Sequence, residues 1–426
     1  MRISRLPWAA PDELAAELRD HFTDFEEGAV DVSDIAAEVA SKGDAALLEL
    51  TARFDATEIE PTRLAVPLDE ADDALEELDD EVEATLRMAV ENVSIVAAAQ
   101  LNDEERLVEL PQGQTVLVGE VPVGAAGIYA PGGRASYPST VVMGCATARV
   151  AGVERLVLVA PPGPDGKINP TTLAAASICG VDEIYAVGGA QAIFALARGT
   201  ESIKPVDVIA GPGNDWVQAA KKTVFGEVGI DSLAGPSDLM VILDGDTDPH
   251  LAALDLCAQA EHGSESILLA VGPDDETLKR LEAEVERIAL EQPSVKHCRL
   301  ATVVAPSSEL AIDLANAFAP EHLQLMDEGS AALASRIRTA GCVFTGPFTA
   351  TAFGDYVAGS NHVLPTDGTG RIFGPLSPAT FRRKTARVSL DADAARLLAG
   401  PLDALARAEG LPVHGMSATA RAEEDE

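Results

Sequence analysis

Four of the seven histidines in this 426-residue chain stand where an imidazole could do chemistry. His262 follows Gln259 by three positions at the end of Asp248 to Gly263, a stretch punctuated as a helix: Asp as N-cap, Pro249 in the first turn, Gly after the end. At that spacing the two side chains share one face, as two ligands on a single helix must. Imidazole is the commonest protein ligand for zinc, and an amide oxygen is an unusual companion. A histidine at a helix end also serves as a plain cap, so both roles stay open. Glu321 and His322 adjoin each other after Ala319-Pro320, where a helix from Ser307 to Phe318 gives way to a strand. A carboxylate beside an imidazole can divide acid and base work near neutral pH, or can be a solvated surface pair. Asp355 and His362 lie in Gly354-Asp355-Tyr356 and Gly359-Ser360-Asn361-His362, and His414 in Gly410 to Gly415, just after Glu409. His21, His250 and His297 have the surroundings of surface or packing residues. Gln259, His262, Asp355 and His414 would together make a nitrogen and oxygen zinc site without cysteine, but separation along the chain does not join them.

These groups need elements to hold them. From Gly127 the chain alternates short apolar strands with helical stretches: Gly127 to Ala130, Leu156 to Ala160, Glu183 to Val187 and Val206 to Ala210, then Leu239 to Leu243, Ser266 to Val271, Ala301 to Val304, Leu323 to Leu325 and Cys342 to Thr345. Such alternation predicts parallel βαβ units with both faces covered. The expected fold is α/β: two doubly wound, incompletely Rossmann-like parallel-sheet modules, a helical N-terminal region with helices over Asp31 to Asp55 and Asp69 to Gln100, and a small helical C-terminal tail. In such sheets ligands bind at the carboxyl ends of the strands. Three Gly-rich turns fall there: Tyr129-Ala130-Pro131-Gly132-Gly133, Gly188-Gly189-Ala190-Gln191 and Gly211-Pro212-Gly213-Asn214. Each feeds a helix N-terminus able to hold pyrophosphate, although none has the Gly-x-Gly-x-x-Gly spacing and each alone is compatible with simple turn chemistry. The Gly- and Pro-rich stretch from Gly346 to Pro378 is too long for an ordinary connection and is expected to be functional.

Charge narrows the partners. Lys and Arg total 31 against 69 Asp and Glu, a formal net charge of -38, which argues against nucleic acid or an anionic membrane. The acid is spread along the chain rather than clustered, as expected of a surface adapted to multimolar salt, where carboxylate repulsion is screened. Five scattered cysteines without a Cys-x-x-Cys pair fit a reducing cytoplasm. Met1 to Ala10 lacks the apolar core of a signal peptide, and no run of ~18 apolar residues occurs. The protein is expected in the cytoplasm.

Taken in order, Ile128 to Ser139, Gly188 to Thr200, Ala210 to Asn214, Gly229 to Asp238, Ala258 to His262, Ala319 to Leu323, Gly354 to Thr366 and Gly410 to Ser417 closely resemble the histidinol dehydrogenase family, over about Val32 to Arg421. The resemblance implies one Zn2+ per subunit on Gln259, His262, Asp355 and His414, and NAD+ contacts from Tyr129, Gln191 and Asn214. It implies substrate contacts from Ser237, Gln259, His262, His322, Asp355, Glu409 and His414, with Glu321 and His322 as the acid/base pair. The implied reaction is the four-electron oxidation of L-histidinol through L-histidinaldehyde to L-histidine with two NAD+, the last steps of histidine biosynthesis. It further implies a homodimer whose C-terminal segment reaches the partner's site. The division expected is an arm over 1–30, a helical region over 31–126 packing with the second α/β module, a nucleotide-binding module over 127–236, a module with the zinc and acid/base residues over 237–377, and the tail over 378–426. Gly263 and the turn Gly368 to Gly370 depart from the usual pattern without touching a ligand position. The rivals are a relative oxidising another small polar alcohol, a zinc hydrolase using Glu321 to activate water, and an acidic binding protein.

Overall fold

The computed structural model describes residues 1–22, 30–55, 57–132 and 136–422. Gly133 of the first Gly-rich turn, part of the expected N-terminal arm and the last four residues of the tail lie outside the described residues. The chain divides into two compact units, Met1–Gln100 with Gly124–Phe381, and Leu101–Val123 with Arg382–Glu426.

The larger unit contains the two expected sheets. The first runs, edge to edge, Ala65–Val66, Glu183–Ala186, Arg155–Ala160, Ala125–Tyr129, Val208–Ala210, Gly229–Ile230. The second runs Arg2–Leu6, Arg299–Val304, Ile267–Gly272, Asp238–Ile242, His322–Leu325, Cys342–Thr345. All neighbours pair in parallel except Ala65–Val66, which is antiparallel to its neighbour. In both sheets the first strand of the series is central, the second and third lie to one side and the fourth and fifth to the other. Every residue of Ala125–Tyr129, Asp238–Ile242 and Ile267–Gly272 is buried. Apart from Asp238, which opens its strand, these are the near-continuous apolar runs that a strand covered on both faces requires.

Several expected boundaries moved for local reasons. Asp31 to Asp55, expected as one helix, is two, Ser33–Lys42 and Asp44–Phe54. They break at Gly43, whose φ of 55° favours glycine, and the Glu201 carboxylate occupies the space a side chain there would need while accepting from the Asp44 N–H at 2.7 Å. Asp69 to Gln100 is likewise split into Leu68–Glu76 and Asp80–Gln100. Ile35, Val39, Leu47 and Leu50 of the helical region, expected to pack with the second module, share a core with Val157, Tyr185 and Phe194 of the first. The N-terminal residues are not a free arm. Arg2–Leu6 is the edge strand of the second sheet, and Pro11–Phe22 packs Leu14, Leu18 and Phe22 into its core with Phe318.

The smaller unit is not purely helical. Arg106–Glu109 and Thr115–Pro122 form an antiparallel hairpin that Arg382–Ser389 extends to three strands, followed by helices Ala392–Ala408 and Pro412–Thr419. The hairpin lies inside the region expected to be helical, and its signal was Pro111-Gln112-Gly113 between Leu107-Val108 and the largely β-branched run Thr115 to Val118. Gly113 turns it at φ 92°.

Candidate active site

The three Gly-rich turns meet at the carboxyl edge of the first sheet. Tyr129 ends the central strand, its ring buried, and its hydroxyl accepts from the Gly189 N–H at 3.1 Å. Gly211 has φ 127°, and a side chain on it would collide with the Tyr129 carbonyl oxygen, so the two turns approach as closely as backbone allows. Gln191 is buried in the first turn of helix Gly189–Arg198, and its Nε2 has no hydrogen-bond partner among the described residues. Asn214 caps helix Asp215–Val224, its Oδ1 accepting from the Val217 N–H at 3.2 Å. The turns therefore bring two helix N-termini and an unsatisfied amide to the gap where strand order reverses, the place an open α/β sheet offers a dinucleotide.

The acid/base residues gather at the opposite, amino edge of the second sheet. Glu321 and His322 open one strand and Asp238 opens its neighbour, with Leu239 in register with His322. Glu321 and Asp238 clasp each other: the Asp238 N–H donates to Glu321 Oε2 at 2.9 Å, and the Glu321 N–H to Asp238 Oδ1 at 2.6 Å. Glu321 is 5% and His322 3% exposed, which disposes of the solvated-pair reading. The His322 ring stacks on Phe344; its Nδ1 lies 3.7 Å from Glu321 Oε2, and its Nε2 lies 3.4 Å from Asp355 Oδ1, at ion-pair distance without hydrogen-bond direction.

Asp355 comes from helix Thr351–Tyr356 in the long Gly- and Pro-rich stretch. That stretch is anchored: Asn361 donates to the Met143 carbonyl at 3.1 Å, and His362 Nδ1 sits 2.9 Å from the Asp355 carbonyl oxygen. Gln259 lies in the last turn of Pro249–Ala260, and His262 just beyond it, since the helix ends two residues sooner than its glycine suggests. The Gln324 amide meets the Asp255 carboxylate at 2.5 Å between strand and helix. Four residues along the helix and two back along the strand each travel ~6 Å toward the amino edge, which sets Gln259 level with His322. Gln259 is 2% exposed and its Nε2 lacks a partner among the described residues.

The charges interlock. Burial works to raise the Asp355 carboxyl, but His322, with smaller contributions from His362 and His262, holds it below its ordinary value. Burial favours neutral His322, yet Glu321 and Asp355 outweigh this and raise its pKa well above the usual imidazole range. Burial, helped by Glu321, pushes Asp238 up to about 7. Asp238 was missed from sequence, although an acid opening an otherwise apolar strand is a signal. Ser237 is half-buried just before that strand, its carbonyl bonded to the Ile267 N–H at 2.9 Å. Glu409 and His414 belong to the smaller unit, where both are exposed and line an apolar groove between its two helices. Among the described residues no three His, Cys, Asp or Glu side chains form a ready metal cage.

The family model described as histidinol dehydrogenase matches residues 19–422. A histidinol dehydrogenase of Synechococcus sp. is 44% identical over 92% of this chain and 91% of its own length, and that of Gloeobacter violaceus 40% identical over 100% and 96%. The crystal structure of histidinol dehydrogenase from Elizabethkingia anophelis superposes with a TM-score of 0.90 at 32% identity, covering 99% of this chain and 98% of that one. On a match of this extent in sequence and in fold, the chain belongs to the histidinol dehydrogenase family.

Proposed function

We propose that this protein oxidises L-histidinol through L-histidinaldehyde to L-histidine with two NAD+, acting in the cytoplasm at the end of histidine biosynthesis. The observation that carries the reading is the buried Glu321–His322 pair with half-buried Asp355 beside it at the amino edge of one sheet, in a chain whose other sheet presents nucleotide-suited turns. Family membership makes the chain a dehydrogenase rather than a hydrolase or a binding protein.

Tyr129, Gln191 and Asn214 suit NAD+: the close approach at Gly211 and the unsatisfied Gln191 amide are what a tightly bound nucleotide would use. A zinc ion would be held by Gln259, His262 and Asp355, with His414 from the smaller unit as fourth ligand. The donors are all nitrogen or oxygen, and the buried Gln259 amide, whose Nε2 has no hydrogen-bond partner among the described residues, can turn its oxygen to a cation. When bound, the ion would supply a fixed positive charge that anchors the substrate's imidazole and amine. Ser237, Gln259, His262, His322, Asp355, Glu409 and His414 would contact the substrate. A homodimer with shared sites would bring the exposed Glu409 and His414 to their task.

His322 would accept the proton of the substrate hydroxyl, with bound NAD+ supplying the hydride acceptor. Glu321 would take a proton from water as the water oxygen adds to the aldehyde carbon, and a second NAD+ would supply the acceptor for the hydride that the hydrate loses in becoming the acid. Asp238 holds Glu321 by backbone and side chain so that its second oxygen can face the water. Burial of the pair keeps bulk water from the reactive aldehyde.

NADH formation from L-histidinol in high salt tests the reading. About two NADH per histidinol, lost on chelation and restored by zinc, is the expected outcome. Metal-dependent NADH from another alcohol but none from histidinol would move the assignment to a relative of different substrate, and no NADH from any alcohol would overturn it.

A further inference from the structure

Lys221 is 1% exposed, a charged side chain in the interior of the nucleotide-bearing module. A buried ammonium is costly unless paired, and apolar residues of similar volume usually serve stability as well or better. What this one holds is specific. Its Nζ pairs with Asp231 Oδ1 and donates to the Gly211 carbonyl at 3.0 Å, while the Gly211 N–H donates to the other Asp231 oxygen at 2.8 Å. Both backbone polar groups of one glycine are thus fixed by one ion pair. Gln218, one turn earlier on the same helix, repeats the pattern: its Nε2 donates to the Gly213 carbonyl at 3.3 Å, and its Oε1 accepts from the Ala234 N–H at 2.9 Å. One helix face therefore grips the turn Gly211–Asn214 on one side and Asp231–Ala234 on the other. The second segment runs directly into Ser237 and Asp238, which open the strand beside His322.

We infer that Lys221, Asp231 and Gln218 are positioning residues for the dinucleotide. They hold Gly211 at its left-handed φ, with the turn against Tyr129, and tie that turn to the segment leading to the acid/base residues. The inference rests on the proposed NAD+ site, and it assigns the buried charge to cofactor placement rather than to stability.

The test compares Lys221→Met, Lys221→Arg, Gln218→Leu and the double variant Lys221→Met with Asp231→Leu, which removes both charges and leaves no unpaired ion. Melting is measured beside direct NAD+ titration, followed by the fluorescence of Trp216, two residues from Asn214 and 43% exposed, and L-histidinol binding is measured separately without NAD+. Expected is a double variant that melts close to wild type, binds L-histidinol normally and binds NAD+ about tenfold more weakly, as loss of charged hydrogen bonds to the turn implies. Lys221→Arg should recover part of the affinity lost in Lys221→Met, and Gln218→Leu should show a smaller loss in the same direction. A double variant with wild-type NAD+ affinity overturns the inference and leaves the proposed function standing. So does a loss that moves NAD+ binding, L-histidinol binding and melting together in every variant, since that is a structural role. A wild-type protein that binds no NAD+ overturns the proposed function first, and this inference with it.

Discussion

The two sheets share one strand order and present their candidate site residues at opposite edges. In the first, Tyr129, Gly188–Gln191 and Gly211–Asn214 lie where strands end and helices begin, so the edge is rich in N–H groups and positive dipole ends suited to an anionic nucleotide. In the second, Asp238, Glu321 and His322 lie where strands begin, and the returning helix Pro249–Ala260 brings its C-terminus with Gln259 and His262. Helix C-termini carry negative dipole ends, which favour imidazolium and metal cations. On the proposed assignment, the rule that open α/β sheets bind ligands at their carboxyl ends describes the first sheet and not the second. The same topology offers two electrostatically different edges, and the side chains decide which is used.

This contrast can be broken most directly at the amino edge. His322→Ala should lower the rate of histidinol oxidation by about 10²- to 10⁴-fold, the usual contribution of a positioned base, while NAD+ affinity stays near wild type. A parallel loss of NAD+ binding would show that the two edges are not separate. Glu321→Gln should leave alcohol oxidation largely intact and slow aldehyde oxidation by about 10²-fold, read by supplying L-histidinaldehyde directly. Equal loss in both halves would end the division of labour between the pair. At the carboxyl edge, Gly211→Ala forces a side chain onto the Tyr129 carbonyl at a φ of 127°. It should raise the KM for NAD+ about tenfold with kcat changed far less, and an unchanged KM would detach Gly211 from the nucleotide.

The smallest effect concerns pH. Asp238 is raised from 3.8 to about 7 in the folded protein, first by burial and then by Glu321. The native state therefore keeps a proton that the unfolded chain gives up, and the stability this contributes is complete below about 4, declines as pH rises and is gone above about 7. Asp238→Asn keeps an acceptor for the Glu321 N–H but has no such proton. Urea denaturation at a series of pH values should show its stability falling less steeply between pH 4 and 7 than that of wild type; equal slopes would place the proton elsewhere in the clasp.

Much of this was legible from residue types. The strand series could be read because a strand buried on both faces must be a continuous apolar run, and the three turns because glycine reveals where backbone must bend or be approached, whereas the roles of Tyr129, Gln191 and Asn214 toward NAD+ are implied by family resemblance alone. The unread parts were those whose signal is weak locally. Arg106–Glu109 and Thr115–Pro122 are mostly exposed or half-buried and so carry little periodicity. The break at Gly43 depends on Glu201, and Lys221 carries only the local signal of a basic residue in the last turn of a helix, since the fold alone brings Asp231 beside it.

The sequence by itself determined the alternation of strands and helices, the glycines at strand ends and the kinds of donor available, since each follows from local periodicity, conformational freedom and side-chain chemistry. Only the tertiary structure decided that Glu321 and His322 are buried rather than solvated, that Asp238 clasps Glu321, and that Asp355 reaches His322 from a segment 33 residues further on. Those facts depend on which parallel strands become neighbours and which end of each helix returns to which edge, and hydrogen bonds between strands distant in the chain, not local preference, set both.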